Sequence, residues 1–296
     1  MTPASVWSFD AIGTAWRIET ESALPGAARA EITQTIAQFD RAWSRFRGDS
    51  LVSALANGAR SVPAPPDARI MLDAYVALSA ATDGAVNPLI GDALARRGYD
   101  ADYSFADRGA QAAPADWQSA LTWTAETLTL DRLAMIDVGA LGKGRLVDAV
   151  LAIVERAADG ENGDIVVDAS GDLVMRGGAQ RIGLEHPFDP RRVIGVWEVT
   201  DRALCASAIN RRAWGEGLHH VLDARTGQPV RKIAATWAMA DTAMAADAIA
   251  TALFFDGGTV LAAEWGVQWV RMSTDGRVEW SPGCTALLFH GDSVEQ

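Results

Sequence analysis

A glycine-rich segment in the middle of the chain, residues 137–148, most constrains what this chain can fold into. It reads Asp-Val-Gly-Ala-Leu-Gly-Lys-Gly-Arg-Leu-Val-Asp and lies between an apolar stretch and a helical repeat. Such a loop can bring backbone N–H groups and a helix N-terminus against a phosphate, and Lys143 would add a point charge. The segment matches neither the P-loop nor the Gly-x-Gly-x-x-Gly dinucleotide pattern. Its spacing alone leaves a glycine-rich helix start without a ligand equally open.

Hydrophobic periodicity predicts the regular elements on either side of this segment. Helices are expected at residues 27–43, from after Pro65-Pro66 to Asp83-Gly84, from Lys143 onward, and at residues 242–255. Strands are expected at residues 7–19 around Gly13-Thr14, at 121–130 with a turn at Asp131-Arg132 before 135–137, and at 165–167, 181–185, 193–199, 218–222, 267–272 and 285–289. Residues 100–118 are polar and aperiodic, which indicates a surface excursion. Strands mixed with isolated helices predict an α+β fold rather than a regular βαβ array.

Charge and hydropathy exclude several classes of partner. The formal net charge of −12 disfavours non-specific binding to nucleic acid or anionic lipid. The most apolar long stretch, residues 233–255, contains Asp241 and Asp247, which argues against a membrane span. The N-terminus lacks the basic and apolar regions of a signal peptide, so a cytoplasmic location is expected for the chain as written. A periplasmic or membrane-associated location is expected if an export signal has been removed.

A carboxylate and a hydroxyl are spaced to share one cation in residues 246–251. Asp247 and Thr251 are four residues apart, so a helix would place them on one face. Mg²⁺ takes one or two carboxylates and completes its shell with phosphate oxygens and water, so a sparse site of this kind suits a nucleotide enzyme. A polar patch on an Ala-rich helix is the alternative. An Asp in so apolar a stretch favours the cation, because a buried charge without a partner is costly.

Two neighbouring histidines, His219 and His220, lie on an expected short strand. Successive strand side chains point to opposite faces, so only one of the two can face a given site. A hydrogen-bonded structural histidine is the alternative role for either. Ser207 lacks the Gly-x-Ser-x-Gly elbow of a hydrolase nucleophile, although it can still contact a ligand.

Taken in order, these segments resemble the ApbE family of FAD:protein FMN transferases over nearly the whole chain. Residues 137–148 resemble the pattern Asp-Leu-Gly-Gly-Ile-Ala-Lys-Gly-x-x-x-Asp, and residues 246–251 resemble Ala-Asp-Ala-Leu-x-Thr. Residues 220–229 resemble His-Ile-Ile-Asp-Pro-x-Thr-Gly-x-Pro. Weaker matches occur at Gly13-Thr14, residues 43–57, 82–88, 169–172, 183–187 and 206–208.

The resemblance implies an α+β fold with mixed or antiparallel sheets flanked by helices, in which FAD lies in a cleft and its diphosphate meets Mg²⁺. It implies one domain over residues 1–296, as a single body or as two lobes around the cleft. By the same resemblance the metal ligands are Asp247, Thr251 and the carbonyl of Ala140. The catalytic residues it implies are Asp247 and His220, the latter for proton transfer. The cofactor-binding residues it implies are Phe46, Ala85, Asn87, Asp137, Lys143, Ser207, His220 and Leu222.

The expected activity is Mg²⁺-dependent transfer of FMN from FAD to a Thr or Ser hydroxyl of a target protein, with release of AMP. Three segments depart from the family pattern: Asn87 stands where Asp is usual, Ala169-Ser170 replace two glycines, and residues 206–208 read Ala-Ser-Ala. Two alternatives therefore stay open. One is a Mg²⁺-dependent FAD diphosphatase that gives FMN and AMP, and the other is a protein that binds FAD without chemistry.

Overall fold

The structure is a computed structural model that describes residues 5–158 and 163–289. The first four residues, which belong to the stretch considered for an export signal, lie outside the described residues. The helices are α1 (Gly26–Trp43), α2 (Leu51–Ala56), α3 (Ala68–Ala81), α4 (Gly91–Arg96), α5 (Trp117–Ala120), α6 (Gly142–Ala157), α7 (Ala243–Ala252) and α8 (Gly258–Glu264). The strands are β1 (Ser5–Ala11), β2 (Thr14–Thr20), β3 (Ser61–Pro63), β4 (Leu121–Trp123), β5 (Thr127–Leu130), β6 (Ile165–Asp168), β7 (Asp172–Arg176), β8 (Gln180–Glu185), β9 (Val193–Val199), β10 (Ala203–Ala208), β11 (Ala213–Trp214), β12 (Leu218–His219), β13 (Leu222–Asp223), β14 (Gln228–Pro229), β15 (Ile233–Ala240), β16 (Gln268–Ser273), β17 (Val278–Trp280) and β18 (Leu287–Leu288).

A large antiparallel sheet organises the fold. Its strand order is β1-β2-β6-β7-β10-β15-β16-β17, and each neighbouring pair runs antiparallel. Two three-stranded antiparallel sheets, β18-β9-β8 and β3-β5-β4, accompany it. Helices and mostly antiparallel sheets confirm the predicted α+β class.

Strand β15 shows how the two faces of the large sheet are covered. Ala238 belongs to the core that includes α6 and α7, whereas its neighbours Trp237 and Met239 belong to a second core shared with β8 and β9. Because both faces of β15 are covered, every residue of the strand is buried. Its sequence therefore needs no alternation of polar and apolar residues. The apolar stretch at residues 233–255 is therefore a doubly covered strand followed by α7. Within the described residues, no helix is long and apolar enough to cross a bilayer.

The helix predictions are confirmed to within a few residues. Helix α1 covers the predicted range 27–43, α6 starts one residue before Lys143, and α7 lies within the predicted range 242–255. Thr242 caps α7 by accepting a hydrogen bond from the N–H of Ala245. Residues 100–116 of the predicted excursion 100–118 contain no helix or strand, and its last two residues begin α5.

Three strand predictions were wrong in detail. Residues 7–19 form the hairpin β1–β2, in which Ile12 and Gly13 both have positive φ and make the turn where a continuous strand was expected. Residues 121–130 are themselves a hairpin, β4–β5, whose turn is made by the Thr124 hydroxyl accepting from the N–H groups of Glu126 and Thr127. The expected turn at Asp131-Arg132 therefore joins no strand pair.

The third correction concerns residues 218–222. They form two short strands, β12 and β13, which pair with different partners, β11 and β14. The chain changes partner at His220 and Val221. This break matters for the site, because it places His220 at an irregular point between two strand pairs.

Candidate active site

A cavity of about 830 Å³ opens beside the N-terminus of α6. Its volume is within the range of small-molecule sites. The predicted site residues that line it are Phe46, Ala85, Asn87, Asp137, Ala140, Lys143, Ser207, His220, Leu222 and Thr251. Asp247 is not part of this lining: it is buried, and its carboxylate accepts a hydrogen bond from the N–H of Gly144, the neighbour of Lys143. The structure thus brings together residues that are up to 205 positions apart in the chain, from Phe46 to Thr251.

Helices α6 and α7 are joined by reciprocal hydrogen bonds at their N-termini. Asp247 on α7 accepts from the N–H of Gly144 in the first turn of α6, at 2.9 Å. Asp148 on α6 accepts from the N–H groups of Ala243 and Met244 at the start of α7, at 2.7 and 2.9 Å. Each aspartate therefore satisfies donors that a helix start leaves free. The pairing fixes the glycine-rich turn (residues 137–144) against α7, which carries Asp247 and Thr251.

Glycine at position 144 is required by this close approach. A Cβ there would overlap the main-chain carbonyl of Ala243 and lie 2.8 Å from the Cβ of Asp247. The short distance between α6 and α7 lets Asp247 reach the N-terminus of α6. The third glycine of the sequence motif thus serves helix packing rather than a ligand contact.

Lys143 has two protein partners in the structure. Its ammonium lies 2.9 Å from Oδ2 of Asp172 and donates to the carbonyl oxygen of Ala169 at 3.1 Å. Burial opposes the charged form, but the nearby carboxylates of Asp172 and Asp247 outweigh it and raise the pKa of Lys143. Because an ammonium has three donors, one can still be offered to a ligand in the cavity. Asp172, which the sequence showed only as part of a weak motif, is therefore the anchor of Lys143.

The predicted cation ligands fit a magnesium ion in donor chemistry. Asp247, Thr251 and the Ala140 carbonyl would supply a carboxylate, a hydroxyl and a carbonyl oxygen, all of them the hard oxygen ligands that Mg²⁺ prefers. Burial, followed by the nearby Asp172, raises the pKa of Asp247 well above its usual range. A cation beside Asp247 would offset that cost. Among the described residues, no group of three or more His, Cys, Asp or Glu side chains is placed to hold a metal, so phosphate and water would have to complete the shell.

Only one of the two histidines lines the cavity, as predicted, although the continuous strand on which that prediction rested is broken at His220. His219 is a structural residue: its Nε2 is 3.0 Å from the carbonyl oxygen of Val230, and its Nδ1 accepts from the N–H of Val221. His220 lines the cavity, and its buried Nδ1 has no hydrogen-bond partner among the described residues. Burial and the neighbouring Arg212 lower the pKa of His220 to about 3. The imidazole is therefore neutral near pH 7.

Aromatic side chains form one wall of the cavity. Phe46 stacks on Tyr103 with ring centroids 5.2 Å apart and meets Tyr99 edge-on at 5.3 Å. Trp214 continues the wall, with its ring 5.5 Å from Tyr99 and 5.8 Å from Phe105. We call these five residues the aromatic wall. Sequence reasoning found only Phe46, although three aromatic residues within positions 99–105 of an otherwise polar stretch were a usable signal.

Two of the predicted binding residues, Asn87 and Leu222, also make contacts within the protein. The Asn87 amide donates to the carbonyl oxygen of Pro114 and accepts from the N–H of Leu89. Leu222 is buried in a small core with Tyr99 and Trp214. Asn87 therefore shapes the cavity through the loop it stabilises, and Leu222 packs against two residues of the aromatic wall.

The fold and the cavity together define an α+β protein with a cleft suited to a ligand that carries both phosphate and aromatic rings. The N-terminus of α6, Lys143 and the aromatic wall all line this cleft.

The chain belongs to the ApbE family, whose sequence pattern it matches over residues 12–274. It is 28% identical over 305 residues to an FAD:protein FMN transferase of Rhodobacter capsulatus, covering 95% of this chain. The matched region spans 58% of the length of that relative.

Solved structures of the family share the fold. The ApbE protein of Thermotoga maritima superposes with a TM-score of 0.81 at 22% identity, covering 94% of this chain and 97% of the other. The flavin transferase ApbE of Vibrio cholerae gives a TM-score of 0.76 at 21% identity, with 94% and 96% covered. At these identities the likeness shows the architecture.

Proposed function

We propose that this protein transfers FMN from FAD to a Thr or Ser hydroxyl of a target protein, in a reaction that requires Mg²⁺ and releases AMP. The observation that carries the proposal is the convergence of the α6 N-terminus, Lys143 and Thr251 on a cavity with an aromatic wall, with Asp247 hydrogen-bonded to Gly144 in the first turn of α6. Family membership supports it, as does the name of the Rhodobacter capsulatus relative.

The proposed reaction is one displacement at phosphorus. The acceptor oxygen forms a bond to the phosphorus of the FMN half, and the bond from that phosphorus to the bridging oxygen of the diphosphate breaks. AMP leaves with the bridging oxygen, and the hydroxyl proton passes to a base. Catalysis of such a transfer depends mainly on positioning and on neutralising charge.

The residues of the cavity have distinct roles in this proposal. Lys143 and the N–H groups at the start of α6 offset the negative charge of the diphosphate. Asp247, Thr251 and the Ala140 carbonyl would hold Mg²⁺, which when bound would supply further charge neutralisation at the phosphates. His220 is the candidate proton acceptor, because it lines the cavity and its Nδ1 has no protein partner in the described structure.

Purified protein incubated with FAD, Mg²⁺ and an acceptor domain carrying a family-type threonine tests this function. Mass spectrometry of the acceptor and measurement of AMP are the two readouts, with a chelator as the metal control. We expect a mass gain of one FMN on the acceptor and an equal amount of AMP, both lost with the chelator. AMP without an adduct would instead indicate a diphosphatase, and bound FAD without AMP would indicate a binding protein.

A further inference from the structure

Arg45 is a buried cation that joins two walls of the cavity. It follows the end of α1, and only 4% of its side chain is exposed. Its Nε donates to Oδ2 of Asp137 at 2.6 Å, and its Nη1 donates to the main-chain carbonyl of Tyr99 at 2.6 Å. Its guanidinium also lies over the rings of Phe46 and Tyr99, at 4.1 and 4.8 Å from their centroids. One side chain thus contacts both the glycine-rich turn and the aromatic wall.

Asp137 is the residue through which Arg45 acts on the glycine-rich turn. Its second carboxylate oxygen, Oδ1, accepts from the N–H of Gly139 at 2.7 Å, so the carboxylate bridges Arg45 and the turn. Tyr75 contacts the same turn: its hydroxyl donates to the Asp137 carbonyl at 3.1 Å and accepts from the N–H of Ala140 at 3.3 Å. Residues 137–140 are therefore positioned by contacts from α3 and from the segment after α1.

Burial of the Arg45 guanidinium costs free energy, which is unexpected if the residue only stabilises the fold. Burying a guanidinium removes its hydration, and its Nη2 is buried with no hydrogen-bond partner among the described residues. Arg145 offers a comparison, because its Nε is also 2.6 Å from a carboxylate, that of Asp67. That pair joins α6 to the start of α3, is more exposed and lies outside the cavity lining. A salt bridge that links two elements of this fold therefore does not need an arginine buried between aromatic rings.

We propose that Arg45 is a positioning residue for FAD, which sets the Asp137 carboxylate and the aromatic wall in the relative geometry that the dinucleotide needs. The inference rests on the proposed function. A dinucleotide must meet the glycine-rich turn and the aromatic wall at the same time, so a shift of either wall weakens binding of the whole ligand. Arg45 acts through Asp137 and Tyr99 and does not itself take part in phosphoryl transfer.

Lysine and alanine substitutions of Arg45 test this role. Arg45→Lys keeps the charge but cannot donate to Asp137 and Tyr99 in the fixed geometry of a guanidinium. We expect its Kd for FAD, measured by flavin fluorescence, and its KM for FAD in AMP release to rise about tenfold or more, as for loss of a charge-assisted hydrogen bond. We expect kcat and the Mg²⁺ concentration for half-activation to change by less than about threefold. Added guanidinium should restore FAD affinity to Arg45→Ala, which a general loss of packing would not allow.

Arg145→Lys is the matched control and should leave the Kd for FAD within about twofold of wild type. A wild-type Kd and KM for FAD in a folded Arg45→Lys variant would overturn the inference while leaving the proposed function intact. If Arg45→Lys does not fold, Asp137→Asn replaces it. That variant keeps the shape of the side chain, and a wild-type Kd for FAD in it would equally overturn the inference. A wild-type protein that binds no FAD would overturn the proposed function and this inference together.

Discussion

The carboxylate of Asp247 lies 2.9 Å from the main-chain nitrogen of Gly144 and accepts its hydrogen bond. This contact joins the two strongest sequence motifs across 103 residues of chain. It has two consequences: the predicted metal carboxylate depends on the packing of α6 against α7, and the packing depends on the absence of a side chain at position 144.

Asp247→Asn should abolish Mg²⁺-dependent AMP release without loss of stability. The amide oxygen can still accept from the Gly144 N–H, whereas the charge that would bind Mg²⁺ is gone. Because burial and Asp172 disfavour that charge in the metal-free protein, we expect an unchanged or higher melting temperature without Mg²⁺. AMP release should fall on the order of 100-fold or more, since a catalytic metal contributes several kcal/mol.

Asp241→Asn, at an exposed residue six positions earlier, is the control. Full activity of Asp247→Asn would contradict the metal assignment.

Gly144→Ala should separate α6 from α7. The added methyl group overlaps the Ala243 carbonyl, so the helices must move apart, which we expect to cost about 1–3 kcal/mol in the free energy of unfolding. Denaturant titration measures the change. Gly26→Ala, also in the first turn of a helix but with no atom within 4 Å of the added methyl, should be neutral or slightly stabilising. Equal stabilities for the two variants would show that the helix approach is looser than described.

His220 should make the folded protein sensitive to acid. Its pKa is about 3 in the fold and near 6.5 in the unfolded chain, so between these values only the unfolded chain binds the proton. This contribution to stability is present above about pH 6.5 and is lost progressively as the pH falls toward 3. In melting experiments from pH 7 to 4.5, His220→Gln should therefore lose less stability than wild type. Parallel pH profiles would show that the imidazole is not buried in its neutral form.

Tyr103 and Phe105 should contribute to flavin binding at little cost in stability. Both are about half exposed at the mouth of the cavity, at 46% and 49%. Stacking of an aromatic pair is worth about 0.5–1.5 kcal/mol, so alanine at either position should weaken FAD binding about two- to tenfold. ADP, which lacks the isoalloxazine ring, should bind with unchanged affinity. Phe188→Ala, at another exposed phenylalanine outside the cavity lining, is the control. An equal loss for FAD and ADP would place the adenine, rather than the flavin, against these rings.

The sequence by itself determined the fold class, the main helices and some of the residues that line the cavity. Helical periodicity located α1, α3 and α6, because the spacing of apolar residues shows which side an amphipathic helix buries. The apolar, Ala-rich composition of residues 242–255 indicated α7 as a buried helix. The glycine-rich segment and residues 246–251 indicated the family, since close backbone approach and helical spacing are local properties. Turns were less well predicted: Ile12 adopts a positive φ that glycine at position 13 only partly signals.

Only the tertiary structure decided which partners those residues have. Lys143 pairs with Asp172, and Asp137 pairs with Arg45 across 92 residues of chain. Tyr75 on α3 contacts the glycine-rich turn through its hydroxyl. The aromatic wall likewise combines residues from the excursion after α4 with Phe46 and Trp214. Such pairings arise from packing between elements distant in the chain. Local spacing fixes the face on which a side chain lies, whereas the element that meets that face is set by the fold.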